Sequence, residues 1–338
     1  MTTAPDIAPG DRTGAPPLTA EEVAAHAADF ERIAAAVRRT VLGKADVVRL
    51  ALTALLSDGH ILLEDVPGVG KTTLARAIAA CAGADWRRIQ FTPDLLPSDV
   101  TGVTVFNQAE HTFEFHPGPV FAAIVIADEI NRASPKTQAA LLEVMEERYV
   151  TVDGVRHPVP APFLVVATQN PVEMDGTYRL PEAQLDRFLV RLSLGYLDSA
   201  AELAVLRGDR LASPEDLDAV TDTAGIARLA AAARRVHIHD AIFEYVLRLA
   251  QATRDHAELR VGLSTRATLA LTGAARTAAL AEGRPFVVPE DVKRLAVPVW
   301  AHRLVLTSEA AVGGRDAATL LSEILDATPA PQPVRTGA

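Results

Sequence analysis

The chain has 338 residues, 49% hydrophobic and 22% charged, a globular composition with room for one large or two ordinary domains. A formal charge of -10 and a sequence pI near 5.4 exclude bulk attraction to nucleic acid or an anionic membrane, and favour a basic partner or a neutral protein surface. The lone cysteine, Cys81, cannot close an intramolecular disulfide, and no window is apolar enough to span a bilayer, so a soluble cytoplasmic protein without an integral membrane segment is expected.

Residues 1–18 are rich in Pro, Ala, Gly and Thr and read as a disordered tail. Thr19 with Glu22 three residues on is a capping box, opening a helix to about Arg39. A second helix carries Val47, Leu50, Ala51, Ala54 and Leu55 at helical spacing.

The apolar run Ile61-Leu62-Leu63 then turns through Glu64-Asp65-Val66-Pro67-Gly68-Val69-Gly70-Lys71-Thr72-Thr73 into a helix whose Leu74, Ile78 and Cys81 share one face. This is a phosphate-binding loop. Gly68 and Gly70 let backbone approach an anion, the helix start aims N–H groups at it, Lys71 adds charge, and the Thr72 hydroxyl can ligate Mg²⁺. The cradle proper uses the N–H groups from Gly68 to Thr72, Val69 among them, and Pro67 and Thr73 flank it as nucleotide-binding positions. The general pattern has glycine where Asp65 stands. Beside such a loop, Val41-Leu42-Gly43 with Lys44 reads either as a wall along the adenine ring of ATP or as an ordinary interhelix turn.

Trp86 to Phe91 reads as a strand. Val103–Phe106 and Thr112–Phe115 alternate around polar Asn107 to Glu110, a hairpin that is either a working loop or a tolerated insertion. Phe121 to Ala127 is a continuous apolar run suited to a buried central strand, and it delivers Asp128 and Glu129 to the crevice edge. Asp128 is placed to hold Mg²⁺ and Glu129 to orient and polarise the water attacking the γ-phosphate. Ser134-Pro135 caps the next helix. A second hairpin turns at Asp153-Gly154, with Pro158 confining it to an edge and His157 read as a surface side chain. Phe163 to Ala167 is another buried strand that ends near Asn170, which is either a water-holding amide or a turn asparagine.

Arg187, in Leu185-Asp186-Arg187-Phe188, could reach a phosphate or simply pair with Asp186 or Glu182. From about Ser199 the strand signal disappears. Capped Ala/Leu-rich helices are expected over 199–211, 225–236, 240–256, 264–281, 289–304 and 315–325, forming an all-helical lid over residues 198–326 before a Pro-rich disordered tail, 327–338. Arg266, at a helix start, would ordinarily be a solvated charge.

Together the phosphate loop, Phe91-Thr92-Pro93-Asp94-Leu95-Leu96-Pro97-Ser98-Asp99, Ala127-Asp128-Glu129-Ile130-Asn131-Arg132-Ala133 and Pro181-Glu182-Ala183-Gln184-Leu185-Asp186-Arg187-Phe188 resemble the MoxR family of AAA+ ATPases, over residues 20 to 305. The resemblance implies an α/β fold, a P-loop NTPase parallel sheet flanked by helices over 19–197 followed by the lid. Asp65 is typical of that family. It further implies that Asn170 is the first sensor, Arg187 the arginine finger for a neighbouring subunit, and Arg266 the second sensor reaching from the lid to the γ-phosphate. The hairpins match the helix-2 insert and pre-sensor-1 hairpin of the clade shared with magnesium chelatase ATPase subunits. The implied protein is a Mg²⁺-dependent ATPase and chaperone, a hexameric homo-oligomer acting on a protein client, with a von Willebrand factor A-domain partner. Two rivals stay open: a nucleotide-dependent switch with little hydrolysis, and a DNA-acting motor, which would want basic hairpin tips that Asn107 to Glu110 do not supply.

Overall fold

Thr19 caps the first helix as its sequence requires: its hydroxyl accepts the Glu22 N–H at 3.1 Å, and the Glu22 carboxylate accepts the Thr19 N–H at 2.7 Å. The computed structural model describes residues 16–66, 68–170, 177–197, 199–207 and 212–331. Most of both expected tails, 1–15 and 332–338, lies outside them. Residues 16–18, however, are packed rather than loose. Leu18 is buried in the core, and the Pro16 carbonyl accepts from Arg235 at 3.0 Å.

Helices α1 (Ala20–Arg38) and α2 (Ala45–Leu56) precede strand β1 (Ile61–Glu64), which feeds α3 (Lys71–Cys81). Strand β2 (Trp86–Gln90) and short α4 (Pro97–Thr101) lead to the hairpin β3 (Gly102–Asn107) and β4 (Thr112–Pro117). Next come β5 (Ile124–Asp128), α5 (Pro135–Glu147), the second hairpin β6 (Tyr149–Val152) and β7 (Val155–Pro158), then β8 (Leu164–Gln169), α6 (Glu182–Leu185) and β9 (Val190–Leu192). Phe121 to Ala123, expected in the strand, form a bend before β5.

Strands β2, β5, β8, β1 and β9 form one parallel sheet in that order. Alternation does the layering. Ile61, Leu63, Ile124, Ile126, Leu164 and Val166 face one core with α1, α2 and α3, while Leu62, Val125, Ala127, Val165 and Ala167 face another with Leu141 and Met145 of α5. Because every strand runs the same way, the sheet has two distinct edges. Asp65, Glu129 and Asn170 leave its carboxyl edge; His60, Phe163 and Phe188 enter its amino edge.

Beyond the sheet lie α7 (Ser199–Leu206), α8 (Thr223–Arg234), α9 (Asp240–Arg254), β10 (Leu259–Val261), α10 (Thr265–Ala281), α11 (Pro289–Trp300), β11 (Val305–Leu306), α12 (Ser308–Val312) and α13 (Ala317–Ala327). The lid is helical but not wholly so. Strands β10 and β11 pair antiparallel, a ladder too short to leave an alternating pattern in the sequence. The domain boundary expected after 197 falls at residue 198, outside the described residues. At the far end α13 runs through Ala327, and Pro329 accepts from Arg248 at 3.2 Å, so ordered chain extends past the expected limit of 326.

The two hairpins touch. The Phe115 and His157 rings stack with centroids 4.0 Å apart and planes 23° apart, so His157 is a half-buried brace rather than a free surface side chain. The second ribbon also packs on the core through buried Val150, while the first reaches solvent, with Phe113 at 74% exposure near its tip.

Candidate active site

The loop after β1 enters α3 through Gly70, whose φ of +93° is left-handed and favours glycine. Gly68 is also left-handed, at φ +84°, and a Cβ built on it meets nothing within 4 Å, so its outer side is open. Helix α3 begins on a residue with no capping oxygen and has no acid in its first turn, which makes its start an anion site. The Lys71 ammonium donates to the Asp65 carbonyl at 2.6 Å, which holds it along the loop. Pro67 lies outside the described residues.

A cleft of about 530 Å³ joins this loop to the stretch read as a base wall. Val41, Leu42 and Lys44 line one side; Gly68, Val69, Gly70 and Thr73 line another. Gly43 lies between, exposed, at φ +69°. The third side, Gly195 to Leu197 with Ser213 and Pro214, was not visible in the sequence. It is tied down by Lys44, whose ammonium donates to the Tyr196 carbonyl at 2.8 Å.

Asp65 explains its own departure from the general pattern. One carboxylate oxygen accepts from Leu194 N–H at 2.6 Å, Gly195 N–H at 2.7 Å and the Ser193 hydroxyl at 3.0 Å. Burial alone would push this carboxyl up, but the donors from Gly195, Ser193, Leu194 and Val66 outweigh it and hold it below the usual carboxylate range. The loop is thereby pinned to the segment that walls the cleft.

At the neighbouring strand ends, buried Thr168 links both acids. Its hydroxyl donates to Asp128 at 3.1 Å and accepts the Glu129 N–H at 3.0 Å. Arg88 donates to the other Asp128 oxygen at 2.5 Å. Glu129 sits at φ +55°, an uncommon conformation for a non-glycine residue, and its carboxylate takes hydrogen bonds from Gln90 at 2.8 Å and Arg132 at 3.1 Å. These β2 side chains escaped sequence reasoning, since a partly exposed edge strand carries no functional signature. Asn170 is buried at the end of β8 and borders a second cleft of about 470 Å³ with Glu64, Gln169 and Arg191. Thr72 and Asp128 offer hard oxygen donors from adjoining elements, the set that Mg²⁺ takes.

The two arginines are elsewhere. Arg187 pairs with Glu146 at 3.0 Å, not with Asp186 or Glu182, and Arg266 pairs with the other oxygen of the same carboxylate at 2.7 Å. Glu146 lies in the last turn of α5 beside Met145, whose carbonyl meets the His60 ring at 3.1 Å just before β1, so the cluster stands at the amino edge of the sheet. The phosphate loop leaves the opposite edge. Arg266 is held by Glu146 at that edge rather than by the phosphate loop of its own chain.

A phosphate loop on a parallel sheet, strand-end acids and a helical lid define an AAA+ ATPase. Residues 60–190 match the ATPase family associated with various cellular activities (AAA), and residues 251–324 match the AAA lid domain. The chain is 41% identical to Chaperone MoxR1 of Mycobacterium tuberculosis, over 94% of this chain and 86% of that protein. It is 49% identical to the uncharacterized protein YeaC of Bacillus subtilis, over 87% of this chain and 92% of that one. The crystal structure of a protein of Cytophaga hutchinsonii assigned as an ATPase superposes with a TM-score of 0.85 at 36% identity, covering 92% of this chain and 98% of the other. The chain belongs to the MoxR family of AAA+ ATPases.

Proposed function

We propose that this chain is a Mg²⁺-dependent ATPase that works as a chaperone on a protein client, in a homo-oligomeric, hexameric ring, with a von Willebrand factor A-domain protein as partner. The observation that carries the ring is the separation of Arg187 and Arg266 from the phosphate loop of their own chain. Arginines at one edge of a sheet and a phosphate cradle at the other suit a site completed between neighbours. The chaperone reading is supported by the relative that bears that name.

In this reading Val41, Leu42 and Gly43 border the base, Gly68 to Thr73 hold the phosphates, and Glu129 takes a proton from the attacking water while Asn170 positions it. Thr72 and Asp128 would hold Mg²⁺, which when bound supplies positive charge to the phosphate oxygens. Arg187 and Arg266 of one subunit meet charge developing on the nucleotide of the next.

The test mixes two inactive variants, Lys71→Ala and Arg187→Ala. Neither turns over ATP alone, and the mixture does, because some interfaces pair an intact loop with an intact arginine. Absence of rescue with subunit exchange confirmed would overturn the shared site.

A further inference from the structure

Glu146 lies outside the phosphate loop, the acid pair and the arginines themselves, yet one oxygen of its carboxylate meets Arg187 and the other meets Arg266. Arg187 belongs to the ATPase core and Arg266 to the lid. Two guanidinium groups brought this close repel one another, and a single carboxylate between them offsets that repulsion by attracting both, while using one terminal nitrogen of each. Each guanidinium carries five N–H donors in a rigid fork, so donors remain for a phosphate.

The surrounding seam holds the same arrangement. Arg187 rides on the turn after α6, and this turn is clasped by the lid: Asp186 pairs with Arg303 at 3.2 Å, and the Phe188 carbonyl accepts from Arg303 at 2.8 Å and from the His302 ring at 3.0 Å. Arg303 and His302 are buried, so the turn has little freedom to drift from the lid. Glu146, on neither the turn nor the lid, is the third point that fixes the pair against α5.

We infer that Glu146 is a positioning residue that holds Arg187 and Arg266 as one unit, offered together to the nucleotide of the neighbouring subunit. The inference rests on the shared-site reading above. Glu146 touches no nucleotide itself; it sets where the two charges stand.

The experiment uses the full-length protein with Glu146→Gln, which keeps size and loses charge. Misplacement of the arginines lowers kcat by about 10- to 100-fold. KM for ATP, binding of a fluorescent ATP analogue and the thermal midpoint stay at their parent values, which a role in folding would not leave untouched. Mixing Glu146→Gln with Lys71→Ala restores turnover, since the first variant keeps its phosphate loop and the second keeps its carboxylate. Parent-like or faster turnover by Glu146→Gln, while Lys71→Ala and Arg187→Ala still rescue each other, overturns the role of Glu146 and leaves the shared site standing. A lowered thermal midpoint with no rescue makes Glu146 structural and overturns it too. Failure of the Lys71→Ala and Arg187→Ala pair removes the shared site, and this inference with it.

Discussion

The Asp65 carboxylate accepts the Gly195 backbone N–H at 2.7 Å, so the first position of the phosphate loop is bonded to the segment that leads into the lid. A glycine at this position, as in the general pattern, would make no such bond.

Asp65→Gly therefore restores the common motif and weakens the protein. It leaves the Leu194 and Gly195 N–H groups and the Ser193 hydroxyl without this acceptor, a loss of about 3 kcal/mol. Denaturant unfolding measures it, and ATP affinity falls with it as the cleft wall loosens. Parent stability in Asp65→Gly would show that the carboxylate anchors nothing.

Glu129→Gln is expected to bind ATP normally and to lose turnover by about 100-fold or more, because the amide cannot take a proton from water. Lys71→Ala is expected to weaken ATP binding by about tenfold or more, the worth of one charge-assisted contact. Equilibrium binding and steady-state turnover separate the two. Normal turnover by Glu129→Gln removes the assignment.

Thr168→Val replaces a buried hydroxyl by a methyl of similar size and breaks the bridge between Asp128 and the Glu129 N–H. The expected cost is about 1–3 kcal/mol of stability, with a fall in kcat as Glu129 leaves its left-handed conformation. Thr168→Ser, which keeps the bridge, is expected to retain most of both. Equal behaviour of the two variants would deny the hydroxyl this role.

His60 supplies a pH dependence. Burial, aided by the nearby Arg148 charge, depresses its imidazole from 6.5 to about 3. The neutral ring donates from Nε2 to Met145 and accepts the Val165 N–H at Nδ1, a bond that protonation destroys. A group depressed on folding contributes its full stability above its unfolded value near 6.5 and loses it progressively as pH falls toward 3. His60→Gln, which has no such proton to take up, flattens denaturant stability between pH 6.5 and 4. An unchanged slope would place the acid sensitivity elsewhere; His302, depressed to about 3 by burial and the Arg303 charge, is the next candidate.

Much of this site is local and so could be read from the chain. Strand, glycine turn and helix follow one another at Leu62 to Thr73, and the apolar run before Asp128 announces its strand. What could not be read depends on distant partners. Asp65 meets residues 193–195, Gln90 meets Glu129, and Glu146 meets Arg187 and Arg266 across a gap of 41 and 120 positions. Nothing at Arg266 distinguished a solvated charge from a paired one, because the difference lies in Glu146. Likewise β9, only Val190–Leu192, is too short to show a period and exists because β1 offers it an edge.

Helix α5 has 13 residues and is about 20 Å long at the helical rise. It starts at Pro135, six residues after Glu129, where Gln138 braces it to the Ile130 carbonyl at 3.1 Å, and its last turn carries Glu146 before the helix ends at Glu147 and the second hairpin follows. In the ring proposed above, this one rod would run from Glu129, read as the hydrolytic carboxylate, to the carboxylate that holds Arg187 and Arg266. On the ring reading proposed above, successive sites are in mechanical series, linked through the length of one helix.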